Sequence, residues 1–196
     1  PYWVPTLFMD DYETLRWDRN PAFDHCEAKY WLEYQDGKLV GRVAGIVNKL
    51  YKEHWGVNYG RFNWIDFIDD LDVSKALLDT VEAWVKTFNV EAVHGPLGFT
   101  DMDREAMLVE GFDQLGTMVG FYNHPYYREH LERLGYVKAI DWVEYEITVP
   151  KEPVEAITKV AEAAKLRSNL HILKVKQKKD ILKYAPQMFA VFNEAY

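Results

Sequence analysis

The stretch Glu27–Asn48, EAKYWLEYQDGKLVGRVAGIVN, constrains the fold of this chain more than any other. Apolar and polar residues alternate up to Tyr34, as a half-buried strand requires. Asp36-Gly37 then supplies the residue pair of a two-residue hairpin turn, and Leu39–Asn48 returns as the second strand. Gly41 and Gly45 fall on one face of that second strand, four residues apart. Such a pair marks a bulge or a place where another backbone or a ligand comes close.

The rest of the chain supplies partners for this hairpin. After a polar loop containing Tyr51, His54, Trp55 and Gly56, the run Tyr59–Ile68 has aromatics on both faces and predicts a third strand buried on both. The acidic turn Asp69, Asp70, Leu71, Asp72 follows. From Val73 to about Phe88, the residues Leu77, Val81, Trp84, Val85 and Phe88 share one helical face, with Asp72 as the predicted N-cap. Asn89 ends that helix, and Glu91–His94 begins a fourth strand. Further on, Asp101–Glu110 predicts one or two helical turns and Thr117–Tyr122 a short strand. Pro125 opens a helix with Tyr127, Leu131 and Leu134 inward and Gly135 as its stop. Trp142–Val149 alternates cleanly and predicts the last strand of the body.

The expected class is therefore α+β, a central and mostly antiparallel sheet flanked by helices. Residues 1–23 read as an extended N-terminal arm, 24–150 as the domain body and 151–196 as a further segment beyond Pro150 and Pro153. That last segment holds a helix with Val154, Ile157 and Val160 inward, a basic strand over 170–177, and a helix from Lys178 broken near Ala185 by Pro186.

Charge narrows the function. The net charge of −8 is uneven, because residues 1–150 hold 14 basic against 26 acidic residues, a net −12. An acidic body repels phosphate backbones and excludes nucleic acid as a natural partner, while a cationic or neutral ligand is easier to accept. No apolar run approaches the roughly 18 residues of a membrane span, and the N-terminal PYWVPTLFMDD lacks a signal-peptide pattern. With a single cysteine, Cys26, the expectation is a soluble cytoplasmic protein without a disulfide framework. The six histidines show no i, i+4 pair, so no metal is expected. Phosphate-loop, nucleophile-elbow and dinucleotide-binding fingerprints are absent.

Three groups of residues are candidates for chemistry. Asn123, His124, Tyr126 and Tyr127 sit at a helix start, where they either face a ligand or cap and pack. His94 ends a strand before Gly95-Pro96 and would serve as a general base or a structural residue. Glu110 and Asp113 flank Gly111-Phe112, where they would hold an amine or only cap the turn.

The order of hairpin, strand, helix, strand, then a helix running into HLERLGY and a last strand resembles the acyl-CoA N-acyltransferase fold of the GNAT superfamily over about Glu27–Val149. LLDTVEAWVKTFNVEAV is similar to its long helix and following strand. More narrowly, YWVP, HGPLGF, LVEGFD and YNHPYY resemble a bacterial GNAT-like group whose chains are longer and hold a second GNAT-like half. The segment from about His171 is similar to the start of that half, so the chain reads as a fragment.

The resemblance implies acetyl-CoA or another acyl-CoA as donor, no metal, and a small-molecule or peptide amine as acceptor. It places the pyrophosphate turn at Asp72, Val73 and Ser74, with Tyr126 and Tyr127 near the leaving thiolate and His94 or Glu110 accepting the amine proton. Asp113, Asn123 and His124 would hold the substrate. Two positions depart from the family pattern. Asp69, Asp70, Asp72 and Ser74 stand where active members have a glycine-rich turn, and Leu131 stands where many have the general-acid tyrosine. Two functions remain open. One is an acyltransferase; the other is a non-catalytic half that senses a ligand or binds a partner, through a homodimer or a second GNAT-like half, with no nucleic acid and no membrane.

Overall fold

The hairpin turn adopts the backbone its residues favour. In the computed structural model, which describes residues 2–168 and 171–195, Asp36 and Gly37 have φ of 50° and 76°, the left-handed pair of a two-residue turn. They join β1 (Cys26–Gln35) to β2 (Lys38–Asn48). β3 (Tyr59–Phe67) pairs antiparallel with β2, and β4 (Ala92–His94) pairs parallel with β3, in the order β1-β2-β3-β4. Before the sheet comes α1 (Phe8–Thr14); α2 (Tyr51–Trp55) links β2 to β3, α3 (Leu71–Val85) links β3 to β4, and α4 (Tyr126–Arg133) follows a long loop. The fold is α+β, a four-stranded mixed sheet with helices between and after its strands.

One sheet face is covered by α3 because its apolar stripe has the right period. Val73, Leu77, Leu78, Val81 and Val85 pack on Val43, Val47, Phe62, Ile65 and Phe67, and Tyr127 and Leu131 of α4 close this core. The two glycines of β2 make the approach possible. A Cβ at Gly41 would lie 2.7 Å from Leu77, and one at Gly45 would lie 2.9 Å from Trp84. The opposite face carries a smaller cluster of Ala22, Cys26, Ile46 and Phe99.

β3 holds one extra residue against β2. Arg42 pairs with Asp66 and Ala44 with Asn63, so Trp64 and Ile65 together oppose Val43. Trp64 takes φ 44°, and its N–H donates to Asn63 Oδ1 at 2.8 Å. This bulge breaks the two-residue alternation. Phe62 and Ile65 both enter the α3 core, whereas Arg61 and Asn63 bond to the 98–104 loop on the other face.

Several local expectations change. The arm is not extended throughout: Phe8–Thr14 is helical, with Asp10 and Asp11 favouring its positive N-terminal end. α3 starts two residues earlier than expected and is capped by Asp70, whose Oδ1 accepts the Asp72 N–H at 2.9 Å. The 101–110 stretch makes turns without a helix, and Ala106 sits at φ 63°. Neither Thr117–Tyr122 nor Trp142–Val149 forms a strand. Alternation says which side chains share a face, but a strand also needs a neighbouring backbone, and β4 offers only three residues. Residues 171–177 are likewise not a strand, and Leu170 lies outside the described residues.

The chain divides into two units, Pro1–Val143 and Glu144–Tyr196. The second holds α5 (Glu155–Ser168), a 3-10 helix (Lys178–Tyr184) and α6 (Ala185–Ala195). Its helical run breaks at Ala185, before Pro186, because proline fits the first turn of a new helix better than the interior of an old one.

Candidate functional site

The turn from β3 into α3, where the expected pyrophosphate-binding residues Asp72, Val73 and Ser74 lie, is tied to itself. Asp70 accepts the Asp72 N–H through its carboxylate and the Ser74 N–H through its carbonyl, at 2.9 and 3.2 Å. Val73 and Ser74 are buried, at 3% and 0% exposure. Ser74 Oγ lies 3.0 Å from Leu71 O and 2.9 Å from His130 Nδ1, and His130 Nε2 lies 3.0 Å from Asp69 Oδ1. A serine, a histidine and an aspartate thus join α4 to the start of α3. The serine is fully enclosed, so this array is a strut and not a nucleophile. His130 was not anticipated as a site residue; its position three after Tyr127, on the inward face of α4, is the signal that pointed to it.

Tyr126 and Tyr127 reach the other side of the same turn. Tyr126 Oη donates to Phe67 O at 2.7 Å. The Phe67 N–H donates to Tyr127 Oη at 3.2 Å, and that hydroxyl donates in turn to Asp66 Oδ1 at 3.3 Å. The Tyr127 ring stacks on Phe67 at 4.1 Å. Burial pushes both phenols up, reinforced for Tyr126 by Asp69 and Asp66. These hydroxyls finish the end of β3 and do not point a proton at a ligand.

His94 lies at the other end of β3, as the register partner of Arg61. Burial, and then the charge of Arg61, push it down to about 4. A ring shifted in that direction is a weaker base than one with the ordinary imidazole value. Its ring lies 5.7 Å from Tyr51 and 5.5 Å from Tyr59. Arg61 is 6% exposed, and its Nη1 donates to Gly98 O and Phe99 O, both at 2.9 Å. Arg61 Nε and His94 Nε2 are buried without a hydrogen-bond partner among the described residues. Arg61 was also not anticipated; a cation inside a strand predicted to be buried on both faces is the signal that pointed to it.

The remaining predicted residues fall into two kinds. Asn123 is buried and clamps the loop, accepting the Leu108 N–H at 2.7 Å and donating to Leu108 O and His124 O at 3.1 and 2.9 Å. His124 is exposed and stacks on Tyr126 at 5.3 Å. Glu110 and Asp113 are exposed around Gly111, whose φ is 80°. Six residue steps of strand, about 20 Å at the usual rise, separate Arg61, beside His94, from Phe67, beside the tyrosine pair. His94, one of the two expected bases, therefore does not share a site with the tyrosine pair, while Glu110, the other, is exposed in the loop. Among the described residues, no group of three or more His, Cys, Asp or Glu is arranged to hold a metal ion, and no helix is long and apolar enough to cross a membrane.

No family model matches the chain. Protein YghO of Escherichia coli (strain K12) is 36% identical over 141 residues, which cover 72% of this chain and 36% of YghO. The chain thus spans little more than a third of that relative's length. Among solved structures, a ribosomal-protein-alanine N-acetyltransferase from Brucella melitensis biovar Abortus 2308 is similar with a TM-score of 0.34 and 20% identity, over 62% of this chain and 72% of that one.

Proposed function

We propose that residues 24–150 form a GNAT-like domain that does not itself transfer acyl groups and instead acts as a ligand-sensing or partner-binding half. The observation that carries this reading is the self-capped turn, where the Asp70 carboxylate already occupies the Asp72 N–H. Bare N–H groups at a helix start are what a pyrophosphate needs. Here it would meet Asp69, Asp70 and Asp72 instead. At roughly 4 Å and an effective dielectric near 20, one such repulsion is about 4 kcal/mol before screening, about a thousandfold in affinity.

Two further features support the reading: the tyrosine hydroxyls are committed to Phe67, and His94 lies at the opposite end of the strand. The partner would then be a protein, either a second copy or a second GNAT-like half, in a cytoplasmic setting. In the second unit, Leu182, Met188 and Phe189 offer exposed apolar surface for such contact, at 71%, 58% and 66% exposure. Sedimentation at high concentration is expected to show self-association, and a clean monomer removes the homodimer from this reading.

Isothermal titration of acetyl-CoA into the whole chain tests the central claim. No heat is expected at millimolar ligand. Saturable binding, with CoA held by backbone N–H groups between Ile65 and Gly98, would restore the rival reading: acyl transfer to a small-molecule or peptide amine, which the acidic body would attract.

A further inference from the structure

We propose that Arg61 and His94 form a binding site for a small carboxylate, roofed by Tyr51 of α2. The starting point is a buried cation with no carboxylate within ion-pair distance among the described residues. A guanidinium stays protonated in proteins, and Arg61, 6% exposed, forms no ion pair among the described residues. Its Nη1 is used on two carbonyls, whereas its Nε is buried without a partner. An uncompensated buried charge is among the costliest arrangements a core can hold.

His94 repeats the pattern. It is the register partner of Arg61 across the parallel β3–β4 pair, so the two side chains rise from neighbouring strands on one face. Its Nε2 is also buried without a partner. With the imidazole in its Nε2–H form, the two residues present two N–H donors, and a carboxylate has one oxygen for each. The Tyr51 ring covers both, 4.9 Å from Arg61 Cζ and 5.7 Å from the His94 ring, while Tyr59 closes the side. Walls of this kind exclude water and strengthen a charge-assisted hydrogen bond.

The surroundings set the ligand's charge. The fields of Asp101, Asp103 and Glu105 reach Arg61, and Cys26 beside it is a neutral thiol that burial pushes up to about 11. These acids disfavour a dianion such as phosphate and leave a monoanionic carboxylate as the fitting class. Access would come through α2, a single turn without a buried residue that ends at Gly56 with φ 75°. So short a helix is held by few contacts and opens at little cost.

The test follows the His94 ring signal by carbon-edited NMR in the whole chain, assigned with His94→Asn, during titration with sodium acetate. Sodium chloride at equal ionic strength is the control. Acetate is expected to move the signal saturably and chloride is not. Arg61→Gln is expected to weaken acetate by roughly tenfold or more, the loss of one charge-assisted hydrogen bond. Should Arg61→Gln fail to fold, the Arg61 Nε–H signal of the wild-type chain decides the matter: acetate should move it saturably together with the His94 ring. Methyl phosphate dianion should bind more weakly than acetate. The proposal is overturned if acetate and chloride act alike on the wild-type chain, which would leave buried water as the partner of these nitrogens. Neither outcome depends on whether acetyl-CoA binds at the α3 turn.

Discussion

The two ends of β3 treat their polar groups in opposite ways. Where β3 runs into α3, several polar groups have met a group from the same chain: Asp70 takes the Asp72 N–H, Tyr127 takes the Phe67 N–H, and Ser74, His130 and Asp69 complete one another. At the Arg61 end, two buried nitrogens have no partner. Satisfied donors hold a fold together, and unsatisfied ones mark where something else belongs. On the proposed reading the β3–α3 end is the structural one, and the Arg61 end is the one left open for a ligand.

The largest expected effect tests the first half of this contrast. Tyr127→Ala should cost about 3–5 kcal/mol in urea unfolding, through lost packing and a cavity against Phe67. Tyr51→Ala at the other end should cost less than about 1 kcal/mol, as its ring is only part-buried. Equal losses would break the comparison. Tyr127→Phe isolates the hydroxyl: it leaves the Phe67 N–H without its acceptor and should cost about 1–3 kcal/mol. A loss within error would mean that water takes its place.

A pH scan addresses the Arg61 end. His94 has a folded pKa near 4 against an ordinary value of 6.5, so the unfolded chain takes up the proton first. The stability tied to this residue is fully present above pH 6.5 and is lost as pH falls toward about 4. His94→Asn should flatten the unfolding midpoint across that window, and an unchanged slope would show that other groups carry it. A small effect is also expected for Asp70→Ala, about 1 kcal/mol for a lost N-cap, read as a shift of the urea midpoint. The same variant is expected to leave acetyl-CoA unbound, because Asp69 and Asp72 remain; binding that appears on this one change would make Asp70 a removable block.

Much of the scaffold was legible from local chemistry. Asp36-Gly37 fixes the hairpin, the spacing of Leu77, Val81 and Val85 fixes the covering face of α3, and Gly41 and Gly45 foretell the close approach of that helix. What misled was pattern without partners. Trp142–Val149 alternates as a strand does, yet no neighbouring backbone pairs with it. The site was far less legible. His94 and Tyr126 both looked reactive, but nothing in their types or spacing says that they stand at opposite ends of one strand.

The sequence by itself determined the hairpin, the succession of β3, α3 and β4 and the acidic character of the α3 turn, because turn chemistry and hydrophobic period act within a few residues. Only the tertiary structure decided which of those acids caps the helix, that His130 bridges Ser74 and Asp69, and that Arg61 and His94 are neighbours with nitrogens to spare. The His130 bridge depends on groups tens of residues apart being brought within about 3 Å, and packing, not local preference, sets such distances.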